Sequence, residues 1–402
     1  MADICVTVEQ GSVIRLFTEE IPVIKQILRR RNMSWNLLDE QQKILRIPQQ
    51  YIGYIGLPNR RIIIKPKLDG LTIGHILRIY YFLYSAEYTD LDNPIYDVEN
   101  GNDLNLITMF VKEFITIAHR GIPVSYEEKD GELNFAKGNL KVAETQKNIL
   151  LKKKNAFVCT YDDLTRDIPI NRVLLAAAKK IKTKVNSADF TFAIQQFGNV
   201  DDTDVPDYVE ITRNTAYCKK ALSLAYMILR ELTLSTVGDS TSGESLLINF
   251  DKVFEDFIKK VLMEYSSLGK FNFWSVPKVY GRTNNADGEK ERSYLPDLLY
   301  GYYEKYGKSY ARAVLDMKNK ISDPFHNPDV YQMVFYCEML NCKKVILCYP
   351  SNCDKKSSIL FFEDEKFYLQ KIYAAYMNLA GNSARDFKEN IKKFVVSIEY
   401  LL

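Results

Sequence analysis

Histidine is scarce. The chain has three, His75, His119 and His326, too scattered to build a zinc or other histidine-metal site. No Ser-His-Asp constellation accompanies them, so ester and peptide hydrolysis have no support. The cysteines number seven, which makes no disulfide framework and fits a reducing cytoplasm. Cys337, Cys342, Cys348 and Cys353 cluster, but at spacings of 5, 6 and 5 rather than in the tight C-x-x-C runs of iron–sulfur sites. No window approaches about eighteen uninterrupted apolar residues, so no transmembrane helix is expected. Met1–Leu16 has no basic stretch leading into an apolar one, so no signal peptide is expected either. No G-x-x-x-x-G-K-[ST] occurs, which excludes a P-loop nucleotide site. A net charge of +3 announces no polyanion partner, so any nucleic-acid surface must be a local patch.

What is present is an ordinary globular composition, 47% hydrophobic and 26% charged, on a 402-residue chain long enough for two or three domains. Residues 1–160 read as β-rich and then helical. Strands are expected at Asp3–Val8, Ser12–Phe17, Ile44–Ile47, Tyr51–Leu57 and Arg61–Pro66, and helices at Ile21–Arg31, near Leu71–Leu83 and at Leu106–Ala118. A loop over Thr89–Asp103 and a charged ribbon over 126–160 complete this part. Residues 161–243 read as a helical linker, with Asp167 able to cap a helix ending at Ile181 and a second helix at Arg213–Leu234. Gly238–Gly243 marks a boundary. Residues 244–402 read as an α/β domain: a mixed sheet flanked by helices Leu246–Tyr265, Asp329–Leu340 and Ala384–Leu401, with strands Phe271–Tyr280, Lys344–Tyr349 and Ser358–Glu363. Gly281–Arg292 reads as a polar loop and Ser322–Pro328 as another.

The chemistry concentrates in Tyr294–Lys320. Pro296-Asp297 is followed, nineteen residues after the first aspartate, by Asp316-Met317-Lys318, and the apolar run Ala311–Leu315 leads into the second aspartate. Two neighbouring strands are expected, Asp297 at the start of one and Asp316 at the end of the other. Strand side chains alternate with period two, so Lys318 shares a face with Asp316. Two carboxylates and a lysine suit phosphodiester hydrolysis with Mg²⁺. The bland alternative is a strand-end salt bridge between Asp316 and Lys318. Glu255, at the edge of the Leu246–Tyr265 apolar stripe, is a candidate third acid.

Several ordered blocks carry a resemblance. VFEDFIKKVL, YLPDLLY, AVLDMKNK and DVYQMVFY resemble the PD-(D/E)XK nuclease superfamily. With IGYIGLPNRRIIIKPKL and YDDLTRDIPINRVLLAAAKK, most of the chain is similar to the McrC family, the nuclease subunits of McrBC-type modification-dependent restriction systems. The resemblance implies a C-terminal restriction-endonuclease-like domain holding Mg²⁺ on Asp297, Asp316 and the Met317 backbone carbonyl. Lys318 would be the catalytic lysine, Glu255 the acid of the first nuclease helix and Gln332 a positioning residue. The family's D-A-K-Y-K is here D-M-K-N-K, which leaves the ligand atoms intact. The resemblance also implies double-stranded DNA bearing modified cytosine (5-methylcytosine) as substrate. The partner would be a GTP-hydrolysing AAA+ ring of McrB type, docked by residues 1–160. Arg29, Arg30, Arg31, Arg60 and Arg61 are the candidates for stimulating its hydrolysis, no membrane is involved, and a catalytically silent activator is the alternative.

Overall fold

Runs of isoleucine, valine and leucine form strands where a neighbouring layer covers them, and the chain does this in two large sheets. The computed structural model describes residues 4–84, 91, 94–98, 106–237, 240–285, 288–320, 324–362 and 371–402. A five-stranded sheet is ordered Ile4–Glu9, Arg60–Lys65, Tyr51–Gly56, Ser240–Asn249 and Leu232–Val237, with the first pair parallel and the rest antiparallel. Helix Ile21–Arg30 packs Ile24, Ile27 and Leu28 against Ile55, Ile62, Ile64 and Leu247 of this sheet.

A six-stranded sheet is ordered Phe271–Asn272, Leu298–Tyr300, Ala313–Met317, Val345–Ser351, Lys371–Asn378 and Ser358–Phe361. It is parallel at the centre and antiparallel towards both edges. Ala313–Met317 and Val345–Ser351 are buried at every position, as central parallel strands covered on both faces must be. Helix Asn327–Met339 packs Val330, Met333 and Tyr336 onto Leu299, Val314 and Leu347. Helices Phe250–Tyr265 and Ala384–Leu401 meet through the stacked rings of Phe257 and Phe387, 5.9 Å apart.

The chain divides into two units, one of Met1–Leu83, Tyr88–Leu104 and Glu231–Leu402, the other of Tyr84–Glu87 and Asn105–Arg230. This differs from a segmentation at 160 and 243. Leu232–Val237 and Ser240–Asn249, expected on the two sides of a boundary, are antiparallel neighbours within one sheet. In the first unit Arg78, 1% exposed, donates to the carbonyls of Gly381 and Leu379 at 2.6 Å each and lies over the Phe387 ring. That contact ties helix Ile73–Tyr84 to the start of Ala384–Leu401. In the second unit Phe110, Phe114, Phe190 and Phe197 form an aromatic core among Leu106–Arg120, Pro169–Ile181 and Ala188–Gln196. Ser125–Leu133, Phe157–Thr165 and Asn139–Leu140 form a three-stranded sheet carrying helix Val142–Leu150.

Several expectations are corrected. Leu246–Asn249 is the end of a strand, and the helix begins at Phe250, where the Asn249 side chain accepts from Lys252 N at 3.2 Å. The helix expected to reach Leu234 ends at Glu231, because Leu232–Val237 pairs with Ser240–Asn249. Gly281–Arg292 belongs to a two-stranded ribbon, Lys278–Asn285 with Gly288–Tyr294. Asp167 caps nothing; it holds Arg172 by two contacts of 2.8 and 2.9 Å. The Thr89–Asp103 loop and Ser322-Asp323 lie largely outside the described residues. Among the described residues no helix is long and apolar enough to cross a membrane.

Gly53 shows how tightly the five-stranded sheet is built. Its φ is +127°, and a Cβ there would stand 2.1 Å from the Leu246 carbonyl oxygen. Gly53→Ala is expected to destabilise the protein by at least about 2 kcal/mol. Gly70→Ala, at φ +79° in open space, should cost about 1 kcal/mol. Urea unfolding of the two variants side by side checks the contrast.

Candidate active site

Antiparallel pairing of Leu298 with Leu315 sets Asp297, just before one strand, against the end of the other. The Asp297 Oδ2 accepts a hydrogen bond from Met317 N at 2.8 Å. Asp316 is 1% exposed. Parallel pairing with Val345–Ser351 continues past the strand, Lys318 N donating to the Cys348 carbonyl at 2.9 Å, and period two returns Lys318 to the face of Asp316. The Lys318 Nζ stands 2.5 Å from Asp316 Oδ2 and donates to Gln332 Oε1 at 2.8 Å.

A directional relay extends from there. Gln332 Nε2 donates to the Tyr336 hydroxyl at 2.9 Å, and that hydroxyl donates to the Leu295 carbonyl at 3.2 Å. A carbonyl can only accept, so Tyr336 must donate to it and accept from the amide. The Gln332 oxygen is thereby turned to the lysine. Tyr336 and Leu295 are absent from the sequence expectation. The available signal was the four-residue spacing of Gln332 and Tyr336, which puts both on one helix face.

Electrostatics follow from burial. The Asp297 carboxyl is pushed up to about 7, first by desolvation and then by the Asp316 carboxylate, against the pull of the Met317 N–H. Asp316 is also raised, by burial first, with Lys318 opposing. For Lys318, burial is the largest single influence and favours the neutral amine. The combined attraction of Asp316, Asp297 and Asp329 outweighs it and raises the ammonium. Tyr336 is pushed up to about 12, by burial first, so its hydroxyl keeps its proton.

Glu255 sits on Phe250–Tyr265 and adds to the field that raises both aspartates. Its carboxylate is paired with Lys259 one turn on and lies 3.7 Å from Lys252. Among the described residues no three His, Cys, Asp or Glu side chains gather closely enough to hold an ion alone. A hard cation that keeps most of its waters needs only one or two carboxylates. Asp316 Oδ2, buried and without an aligned hydrogen bond, together with Asp297, supplies that donor set, so the residues fit Mg²⁺. Around this centre Lys320 Nζ holds both oxygens of buried Asp329 at 2.8 and 2.7 Å, and Asn319 Nδ2 donates to Asp251 Oδ1 at 2.8 Å.

The five candidate arginines lie elsewhere. Arg60 grips both oxygens of fully buried Glu20 at 2.7 Å. Arg61 pairs with Glu244 at 3.2 Å over the Tyr54 ring, and Arg31 pairs with Glu231 at 2.5 Å. Arg30 donates to the Leu234 carbonyl, while Arg29 is exposed at the helix end. Cys337, Cys342 and Cys348 are buried and Cys353 is exposed.

A family model described as McrBC 5-methylcytosine restriction system component matches residues 47–350. The fold is similar to a chain in the refined half-complex from a tetradecameric assembly of Thermococcus gammatolerans McrB AAA+ hexamers with bound McrC. There the TM-score is 0.53 at 18% identity, over 99% of this chain and 100% of that one. A chain of the cryo-EM structure of the Thermococcus gammatolerans McrBC complex aligns at TM-score 0.40 and 18% identity, over 65% of this chain and 87% of that one. No curated protein sequence matches. At such identity the structural likeness speaks for the fold alone, whereas the family match spans most of the length. The chain belongs to the family of McrBC 5-methylcytosine restriction system components.

Proposed function

We propose that this chain is the endonuclease subunit of a McrBC-type system, a Mg²⁺-dependent endodeoxyribonuclease acting on double-stranded DNA with modified cytosine. The six-stranded sheet and its helices are read as the PD-(D/E)XK domain. The observation that carries the reading is the buried Asp316 carboxylate, with Lys318 at 2.5 Å and Asp297 beside it. Asp297, Asp316 and the Met317 carbonyl would hold the ion, which when bound supplies an acidified water and neutralises charge on the phosphoryl group. Lys318, kept protonated, donates to Gln332 and is held by charge beside Asp316. Its ammonium also has N–H groups to offer a phosphate oxygen of the substrate, where a fixed charge in a dry site counts most. The Gln332–Tyr336–Leu295 relay holds that ammonium in place.

The partner is read as a GTP-hydrolysing AAA+ ring of McrB type, engaged through residues 1–160. Supporting this, the small sheet and helix of 125–165 expose Tyr126 (72%), Phe135 (58%) and Leu150 (82%), apolar surface of the kind that marks protein contacts. Of the five arginines, Arg29 and Arg30 are exposed, and since Arg30 donates to the Leu234 carbonyl, Arg29 is the candidate for stabilising phosphoryl transfer in the partner. Arg31, Arg60 and Arg61 serve carboxylates of their own chain.

The test combines the chain with its NTPase partner, plasmid bearing methylated cytosine, Mg²⁺ and GTP. Lys318→Ala and Asp316→Asn should each lower cleavage by about 10³-fold or more, with GTP hydrolysis by the ring unchanged. Cleavage by Lys318→Ala at the wild-type rate sinks the site assignment. No cleavage by wild type, with GTP hydrolysis accelerated, makes the chain a silent activator.

A second prediction concerns pH. The folded Asp297 carboxyl holds a proton that the unfolded chain, at 3.8, has already released. Its contribution to stability is therefore full below about 4 and is lost as pH rises through about 7. In chelator, the wild-type melting temperature should fall between pH 5 and 8. Asp297→Asn should flatten that slope; an unchanged slope refutes the assignment.

A further inference from the structure

Helix Phe250–Tyr265 borders an open cleft of about 660 Å³ that the proposed chemistry does not use. Its walls include Met263, Phe273, Trp274 and Leu295. Three of these keep large apolar surface in water, with Phe273 51%, Met263 48% and Leu295 39% exposed. Three lysines, Lys252, Lys259 and Lys260, and three carboxylates, Glu255, Asp256 and Glu264, also line it. Those charges cancel, so the cleft offers little to a phosphate backbone. It offers aromatic surface.

Trp274 is built as a rigid wall. The rings of Tyr294 and Tyr302 meet it edge-on at 5.6 and 5.5 Å, and Lys278 Nζ stands 4.4 Å over it. Lys278 is itself fixed by the Tyr302 hydroxyl at 2.7 Å and Glu304 at 2.6 Å. An aromatic already immobilised loses little entropy on binding. The cleft also adjoins the carboxylates. Glu255 lines it and acts on both aspartates, and Leu295 lines it two residues before Asp297.

We propose that this cleft binds an unstacked nucleobase of the DNA strand held at Asp297 and Asp316, with Phe273 and Trp274 as the stacking surface. The proposal rests on the nuclease reading. A volume of this size suits one or two nucleotides. A paired duplex hides its base faces within the stack, so the occupant is a base displaced from it. Aromatic stacking of this kind tolerates any sequence, which suits a chain whose partner is read as choosing the site.

The chain contains two tryptophans, Trp35 and Trp274, so Trp35→Phe leaves Trp274 as the sole reporter. The full chain carrying Trp35→Phe is titrated without divalent metal against three probes: a single-stranded oligodeoxynucleotide, its duplex, and an abasic strand with the same number of phosphates. Saturable quenching by the base-bearing strand is expected, with about tenfold or weaker affinity for the abasic strand. Phe273→Ala should remove that preference while leaving the circular-dichroism melt unchanged, since Phe273 is half in water. Equal responses to abasic and base-bearing strands overturn the proposal, as does binding seen by anisotropy without quenching, which would leave the cleft to a protein partner. No binding of any probe, with cleavage absent from the assembled complex, would instead remove the nuclease reading beneath it.

Discussion

A carboxylate with 1% of its surface exposed, as Asp316 has, survives in a fold only if another charge offsets its desolvation. Lys318 does so at 2.5 Å, and the rest of the domain follows from making that contact possible. The strand must stay extended past Met317 for the two side chains to share a face. That extension is held by the hydrogen bond from Lys318 N to Cys348, so the register of the parallel strand pair is also the register of the site. The lysine's other partner, Gln332, comes from helix Asn327–Met339, packed onto the same strands by Met333 and Tyr336. An apolar pair in this position would serve stability as well or better. The sheet, helix and relay are therefore arranged around a charge that stability alone does not ask for.

The five-stranded sheet reaches this centre through covalent structure. Strand Ser240–Asn249 passes directly into helix Phe250–Tyr265, and Phe250 N donates to the Gln50 carbonyl at 2.8 Å. One residue on, Asp251 accepts from Asn319, the neighbour of Lys318 in sequence. Four residues further stands Glu255. The helix is thus pinned at its first turn to both sheets, and a force applied to the N-terminal sheet acts on the element that carries Glu255 and borders the cleft. Sequence pattern hides this junction because Leu246, Leu247 and Ile248 continue the apolar pattern of the helix. Their pairing partners, Ile52–Tyr54, lie almost two hundred residues earlier.

Sequence pattern was informative where local chemistry decides. Period two placed Asp316 and Lys318 on one face, and the apolar spacing of Phe387, Ile391, Phe394, Val395 and Ile398 placed helix Ala384–Leu401 to the residue. It failed where distant partners decide. Leu232–Val237 is a strand because Ser240–Asn249 lies beside it, although its residues also continue a helix. The stretches Gly281–Asn285 and Gly288–Arg292 hold no apolar residue and so carry no alternation to read. Arg60 looks like a free cation on a hairpin, yet Glu20, forty residues earlier, holds it in a two-point contact. Arg78 buries its guanidinium on carbonyls about three hundred residues away.

The charges at the centre can be counted. Asp297 and Asp316 bring two negative charges, and Lys318 returns one positive charge. Glu255 is matched by Lys259, and Asp329 by Lys320. One negative charge is left over in a buried site, and desolvation makes it costly. Below about pH 7 a proton on the aspartate pair removes it; above that range only a cation can. The same burial that raises Asp297 thus gives the centre its affinity for positive charge. A proton and any bound cation would answer the same deficit, and the pair titrates as a unit rather than as two separate acids.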